Sequence, residues 1–266
     1  MIQGKKVVAV IPARYASTRY PGKPLVDLGG KTMIQRTYEQ VATVKGWDQI
    51  IIATDDERIF KVAQSFGATV MMTSASHVSG TDRCAEVLAN LGDGIDYIVN
   101  IQGDEPYIEP QQLIEITNAM DSNAPILTLV KQITTIDTLF NPNCPKVVLD
   151  NNNQALYFSR HAIPYMRGLP QEDWLTHHRY FKHIGLYAYR TDILMSISQL
   201  PASDLETSEA LEQLRWLQNG FPIQAVETQF ETGEKVSLLE FLPEQTIIWI
   251  RDWTYIKDKL ELEEEY

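Results

Sequence analysis

Four short segments with apolar runs, KVVAVIPA at residues 6–13, QIIIATDD at 49–56, ATVMMTS at 68–74 and DYIVNIQGDEP at 96–106, are separated by stretches of helical periodicity. In KTMIQRTYEQVATVKG, for instance, Met33, Ile34, Tyr38 and Val41 fall at helical spacing. ERIFKVAQSFG closes on Gly67, a natural helix C-cap, and TDRCAEVLANLG follows the third run. Strands joined by helical crossovers pair in parallel, and both faces of such a sheet must be covered. The pattern therefore predicts an α/β fold with a mainly parallel sheet and helices on both faces.

From Ile126 the rhythm changes. ILTLVKQI, PKVVLDNNNQALYFSR with a turn at Asn151–Asn153, and HIGLYAYR read as strands of an antiparallel extension. SEALEQLRWLQNG reads as one helix ending at Gly220, and PIQAVETQF as a further strand. No repeat or low-complexity linker interrupts the chain, so one domain spanning 1–266 is the expected organisation.

In a parallel sheet of this kind, ligands gather at the carboxyl ends of the strands. PARYASTRYPGKPL lies at such an end, with Arg14, Arg19 and Lys23 among the small residues Ala16, Ser17, Thr18 and Gly22. Small residues let backbone N–H groups approach an anion, and the three cations can neutralise a polyphosphate. The stretch is neither GxGxxG nor GxxxxGK[ST], so neither a dinucleotide fingerprint nor a P-loop is indicated. The alternative is a solvated basic loop. NIQGDEPYI, residues 100–108, places Gln102, Asp104 and Glu105 at a second strand end, where a carboxylate can hold a magnesium ion bridging nucleotide phosphates. Its alternative is a turn in which Asp104 caps the next helix. SGTDR, residues 79–83, adds a third loop with Arg83 available to a phosphate or base, unless Ser79 or Thr81 merely caps a helix.

The charge balance narrows the ligand. A net charge of −12 and a pI near 4.9 repel nucleic acid and anionic lipid, so any phosphate must be held by a local cationic site. The apolar run before Pro12 and Arg14 is too short for a signal peptide core or a membrane span. Cys84 and Cys144 are far apart without a partner motif, which predicts neither a disulfide framework nor a zinc site. A cytoplasmic protein is expected.

IPARYASTRYPGKPL, ATDDERI, SGTDR, NIQGDEP, FNPNCPKVVLD, ALYFSR, HIGLYAYR and LEQLRWL follow one another from about Val7 to Glu231. In that order they resemble the 3-deoxy-manno-octulosonate cytidylyltransferases, the CMP-Kdo synthetases of lipopolysaccharide biosynthesis. The resemblance implies a Rossmann-like nucleotidyltransferase fold, a homodimer, and magnesium-dependent transfer of CMP from CTP to Kdo with release of pyrophosphate. It divides the chain into a nucleotide-binding part, 1–125, a sugar-binding and dimerisation part, 126–232, and a divergent tail, 233–266. It implies that Arg14 and Lys23, helped by Arg19, hold the CTP phosphates. Thr73, Ser74, Gly80, Arg83 and Gln102 would surround cytosine and ribose, and Asp104 would bind Mg2+. Arg160, His183, Tyr187, Glu212 and Gln213 would face the sugar acid. Away from the resemblance, His183 reads as a core histidine, Tyr187 as strand packing, and Glu212 as half of a surface ion pair with Arg215.

The resemblance stops at the tail. The family closes with a segment like ETIGIDTPEDLE, whose aspartate supplies a second magnesium carboxylate; here that position falls on Val236. A slip of one or two residues brings Glu234 to it, with Glu227 and Glu231 as weaker substitutes. Two alternatives therefore accompany the implied activity: a cytidylyltransferase for a modified Kdo or another sugar acid, and a catalytically impaired nucleotide-binding homologue.

Overall fold

The computed structural model describes residue 2 and residues 4–16 and 21–230. Strands β1 (Val7–Ala13), β2 (Gln49–Thr54), β3 (Thr69–Met72) and β4 (Tyr97–Asn100) pair in parallel in the order β3-β2-β1-β4. Helices α1 (Met33–Thr43), α2 (Glu57–Ser65) and α3 (Gly80–Leu91) make the crossovers between them, as the apolar periodicity predicts. α4 (Pro110–Asn118) leads to β5 (Ile126–Gln132), and α5 (Ile136–Phe140) precedes a hairpin of β6 (Lys146–Leu149) and β7 (Ala155–Ser159). Then come α6 (Trp174–His177), β8 (Phe181–Arg190), α7 (Thr191–Ile197), α8 (Asp204–Glu209), α9 (Gln213–Gln218) and β9 (Ile223–Glu227).

The main sheet runs β3-β2-β1-β4-β8-β5-β9, and in it β8 alone opposes its neighbours. The second half is thus antiparallel through β8 and the β6–β7 hairpin, whereas β9 pairs in parallel with β5. Successive strand residues face opposite sides. Val7, Ala9 and Ile11 join a core with Ile34 of α1, Ile59 of α2 and Leu113 of α4, while Val8 and Val10 join Val87 of α3, Leu194 of α7 and Leu214 of α9. Each face of β1 is buried by its own helix layer, which is why the strand reads as a continuous apolar run.

The single helix expected over SEALEQLRWLQNG is two helices. Ala210 stands between α8 and α9 with φ 50° and ψ 49°, a left-handed conformation that interrupts the hydrogen-bond ladder. Glu209 anchors the break: its carboxylate accepts from Ser159 Oγ at 2.6 Å and from the Arg160 N–H at 2.8 Å. Left-handed backbone costs a residue with a Cβ about 1 kcal/mol or more. Ala210→Gly is expected to raise stability by roughly 0.5–1 kcal/mol, read from the urea midpoint, because glycine adopts that conformation freely.

Candidate active site

At the carboxyl ends of β1 and β4, two adjoining clefts share Pro12, Ala13, Arg14 and Gln102. The first also holds Lys23, Gly103 and Asp104, and the second Ser79, Gly80 and Arg83. The basic and acidic loops picked out by the sequence therefore meet.

Lys23 is delivered by Gly22, whose φ of 75° starts a 3-10 turn over Lys23–Leu25; a Cβ at Gly22 would lie 3.0 Å from the Tyr15 ring. Asp104 does not cap the next helix. Glu109 and Gln112 form the capping box of α4, and Asp104 instead accepts from Lys23 Nζ at 2.7 Å. Gly103 brings the acidic loop against β1: a Cβ there would lie 2.6 Å from Pro12 O, so only glycine permits the approach.

Glu105, beside Asp104, has its pKa pushed up to about 7, by burial first and then by the Asp104 charge. Between pH 4.5 and 7 the folded protein holds a proton there that the unfolded chain releases. Stability is expected to fall as pH rises through that window. Urea midpoints at pH 5 and 8 in metal-free buffer check this, and Glu105→Gln should flatten the difference.

Arg83 is not a free cation. It is buried, donating through Nη2 to Asp55 Oδ2 at 3.0 Å and through Nη1 to Thr73 Oγ1 and, at 3.4 Å, Ser74 O. Its charge was legible, but its partner stands 28 residues earlier at the end of β2. The Ser74 N–H donates to Glu86 Oε2 at 2.8 Å, and His77 also hydrogen-bonds that oxygen. Burial works to raise the Glu86 pKa, but these two partners outweigh it and the pKa is lowered. Thr73, Ser74 and Arg83 are thus brought together as a rigid shelf, with Asp55 and Glu86 as supports that the sequence reading missed.

Ser79 caps α3 through a capping box with Asp82, and Gly80 opens the helix into the cleft. One residue on, Thr81 Oγ1 donates to Glu212 Oε2 at 3.0 Å and lies 3.3 Å from Tyr189 Oη. Glu212 is not half of a surface pair. Arg215 makes its short bonds to Glu206, at 2.7 and 2.8 Å, and stands 3.8 Å from Glu212. Burial raises the Glu212 carboxyl pKa, and raises that of the Tyr187 hydroxyl nearby.

His183 packs its ring on Tyr187 at 5.3 Å and meets Thr128 Oγ1 at 3.1 Å; burial pushes its pKa down to about 3, so it is neutral. Gln213 is buried beside Glu212. Arg160 commits its guanidinium to the carbonyls of Glu209 at 2.6 Å, Pro142 at 3.0 Å and Ala210 at 3.1 Å, so it clamps the α8–α9 break. The first turn of α3 thus joins the two groups, with Gly80 facing the cleft and Thr81 holding Glu212.

Arg19, Glu231, Glu234 and Val236 lie outside the described residues. Glu227 ends β9 on the same sheet edge as Asp104, but three strands beyond β4, roughly 14 Å along the sheet, and it accepts from Arg179 at 2.8 Å.

The sequence profile of the cytidylyltransferase family matches residues 8–231. The 3-deoxy-manno-octulosonate cytidylyltransferase of Parabacteroides distasonis is 55% identical over 232 residues, covering 85% of this chain and 92% of the relative. This chain belongs to that family. The enzyme of the same description from Francisella tularensis subsp. novicida is 47% identical over 236 residues, covering 88% of this chain and 94% of its own length. A solved structure of CMP:2-keto-3-deoxy-manno-octonic acid synthetase complexed with CTP superposes with a TM-score of 0.78 at 43% identity, covering 84% of this chain and 90% of that one. The 4-diphosphocytidyl-2C-methyl-D-erythritol synthase of Anaerococcus prevotii, 14% identical with a TM-score of 0.56 over 90% of this chain and 94% of that one, shares the fold. Family membership makes the chain a nucleotidyltransferase, and the α/β architecture expected from its sequence is the one observed.

Proposed function

We propose that this cytidylyltransferase transfers CMP from CTP to 3-deoxy-manno-octulosonate, giving CMP-Kdo and pyrophosphate. One observation carries the reading: a cleft of cations and one exposed carboxylate abuts, through a single helical turn, a buried group of polar and aromatic side chains. The sugar acid's anomeric hydroxyl attacks the α-phosphorus, a P–O bond forms, and the bond to the leaving pyrophosphate breaks. Such chemistry needs mainly alignment and charge neutralisation. Arg14 and Lys23, with Arg19, bind the phosphates; Thr73, Ser74, Gly80, Arg83 and Gln102 hold the base and ribose. His183, Tyr187, Glu212 and Gln213 face the sugar acid, and Arg160 holds the backbone that presents them.

The donor set suits magnesium. Asp104 offers hard carboxylate oxygens at the cleft, the ligand type that magnesium prefers. Bound there, with Glu234 as the candidate second ligand, magnesium would neutralise charge on the phosphate oxygens. The proposal is completed by the division into a nucleotide part, 1–125, a sugar part, 126–232, and the tail, 233–266, in one homodimeric, cytoplasmic domain. No described helix is long and apolar enough to cross a membrane, and the acidic charge disfavours nucleic acid.

Pyrophosphate release from CTP and Kdo with magnesium tests the activity. Release only with a modified Kdo would change the acceptor. CTP binding without release would favour the impaired homologue, the reading that Val236 motivates.

A further inference from the structure

Asp55 and Asp56 follow β2 side by side, and their carboxylates take separate partners. Asp55 pairs with Arg83 and so anchors the shelf of Thr73 and Ser74. Asp56 caps α2, accepting from the Arg58 N–H at 2.9 Å. It also takes the Arg58 guanidinium as a two-bonded fork, Nε to Oδ1 at 2.9 Å and Nη2 to Oδ2 at 2.6 Å. A guanidinium held along its edge keeps its flat face for stacking. That face lies over Tyr15, with Cζ 3.3 Å from the ring centroid. The remaining contacts of Tyr15 lead to the cationic loop. Its carbonyl accepts from the Gly22 N–H at 2.9 Å, and a Cβ on Gly22 would lie 3.0, 3.1 and 3.2 Å from ring atoms Cε2 and Cζ and the hydroxyl oxygen. Gly22 caps the 3-10 turn that begins at Lys23, whose Nζ reaches Asp104 at 2.7 Å, and Arg14 directly precedes Tyr15. The Arg58 side chain is 59% exposed, so a pair of this kind adds little to stability. What it fixes is the place of the ring.

We propose that Arg58, gripped by Asp56, is a positioning residue for phosphate binding: it pins the Tyr15 ring against which Gly22 packs, and so sets where Arg14 and Lys23 stand. The inference rests on the cytidylyltransferase reading and adds residues that touch no phosphate themselves. The neighbouring carboxylates after β2 then brace two sides of the cleft, Asp55 through Arg83 and Asp56 through Arg58 and Tyr15.

Two measurements keep the activity and the inference apart. Wild-type pyrophosphate release from CTP and Kdo tests the activity. CTP affinity, measured by calorimetry with magnesium, tests the positioning even in a chain that releases nothing. Wild type, Arg58→Ala, Tyr15→Ala and the double variant form a cycle. Arg58→Ala should weaken CTP binding about two- to fivefold, the scale of one exposed cation–π contact. KM for CTP should rise by the same factor with kcat little changed. Tyr15→Phe keeps the ring and should bind CTP as wild type does. In the Tyr15→Ala background, the Arg58 substitution should add nothing. Equal weakening with and without the ring would make Arg58 a free charge acting on CTP directly, and would overturn the proposal. So would unchanged affinity in Arg58→Ala, or a wild-type chain that does not bind CTP. The melting point of Arg58→Ala should stay within about 2 °C of wild type. Should it fall further, Arg58→Gln carries the same cycle.

Discussion

Asp104→Ala is expected to slow pyrophosphate release from CTP and Kdo by about 10²–10³-fold, the usual cost of removing one preorganised charge stabiliser. Stability should barely move. Asp104 and Lys23 are about half exposed, with side-chain accessibilities of 47% and 40%. A solvent-exposed pair of that kind contributes roughly 0–1 kcal/mol, or at most about 4 °C in melting temperature for a chain of this size. Release at saturating CTP, read beside a thermal melt, separates the two effects. A melting point lowered by 10 °C or more would make Asp104 a structural residue and remove it from the metal assignment. Asp104→Asn keeps the shape and loses the charge, so it should fail as the alanine variant does.

Arg83→Ala should do the opposite, lowering stability first and activity as a consequence. Arg83 and Asp55 are buried, with side-chain accessibilities of 3% and 14%. Removing the cation strands a carboxylate in the interior and frees Thr73 and Ser74 from their common anchor. Breaking a buried pair from one side costs about 3–5 kcal/mol, which corresponds to a fall of roughly 10 °C in melting temperature. Arg83→Lys should recover little of it, because an ammonium cannot span Asp55 and Thr73 as a planar fork does. The double variant Arg83→Met/Asp55→Leu should be more stable than Arg83→Ala, since it leaves no unpaired charge. A melting point for Arg83→Ala within 2 °C of wild type would contradict the buried-pair account.

The sequence made the parallel half of the sheet readable because each strand there is buried on both faces, so apolar runs and helical periods alternate without ambiguity. Gly67 and Ser79 announced helix ends because capping is local chemistry. The break at Ala210 was hidden: SEALEQLRWL keeps its helical period across it, and the left-handed turn is imposed by Glu209 bonds to a strand 50 residues away. The same blindness to distance applied to Arg83, whose charge was plain while the carboxylate that pairs with it stands at the end of β2. Arg14, Lys23, Gln102 and Asp104 were legible because they sit one loop from strand ends that periodicity had already located.

β4 stops at Asn100, opposite Tyr187, but β8 continues for six more residues past that point, back to Phe181. That stretch is held by β5 on one side and by the β6 hairpin on the other, with no partner in the parallel half. It works as a cantilever. The parallel half of the sheet ends where the beam begins, and the hairpin joins the beam through β6 while its turn bonds β9 and Ser159 bonds Glu209. Changes along the overhang can reshape the space for an acceptor without disturbing a single strand pairing on the nucleotide side. A lineage under pressure to accept a different sugar acid has in this beam a place to vary at low cost, and a library confined to 144–160 and 181–186 would explore acceptor choice with the donor machinery left standing.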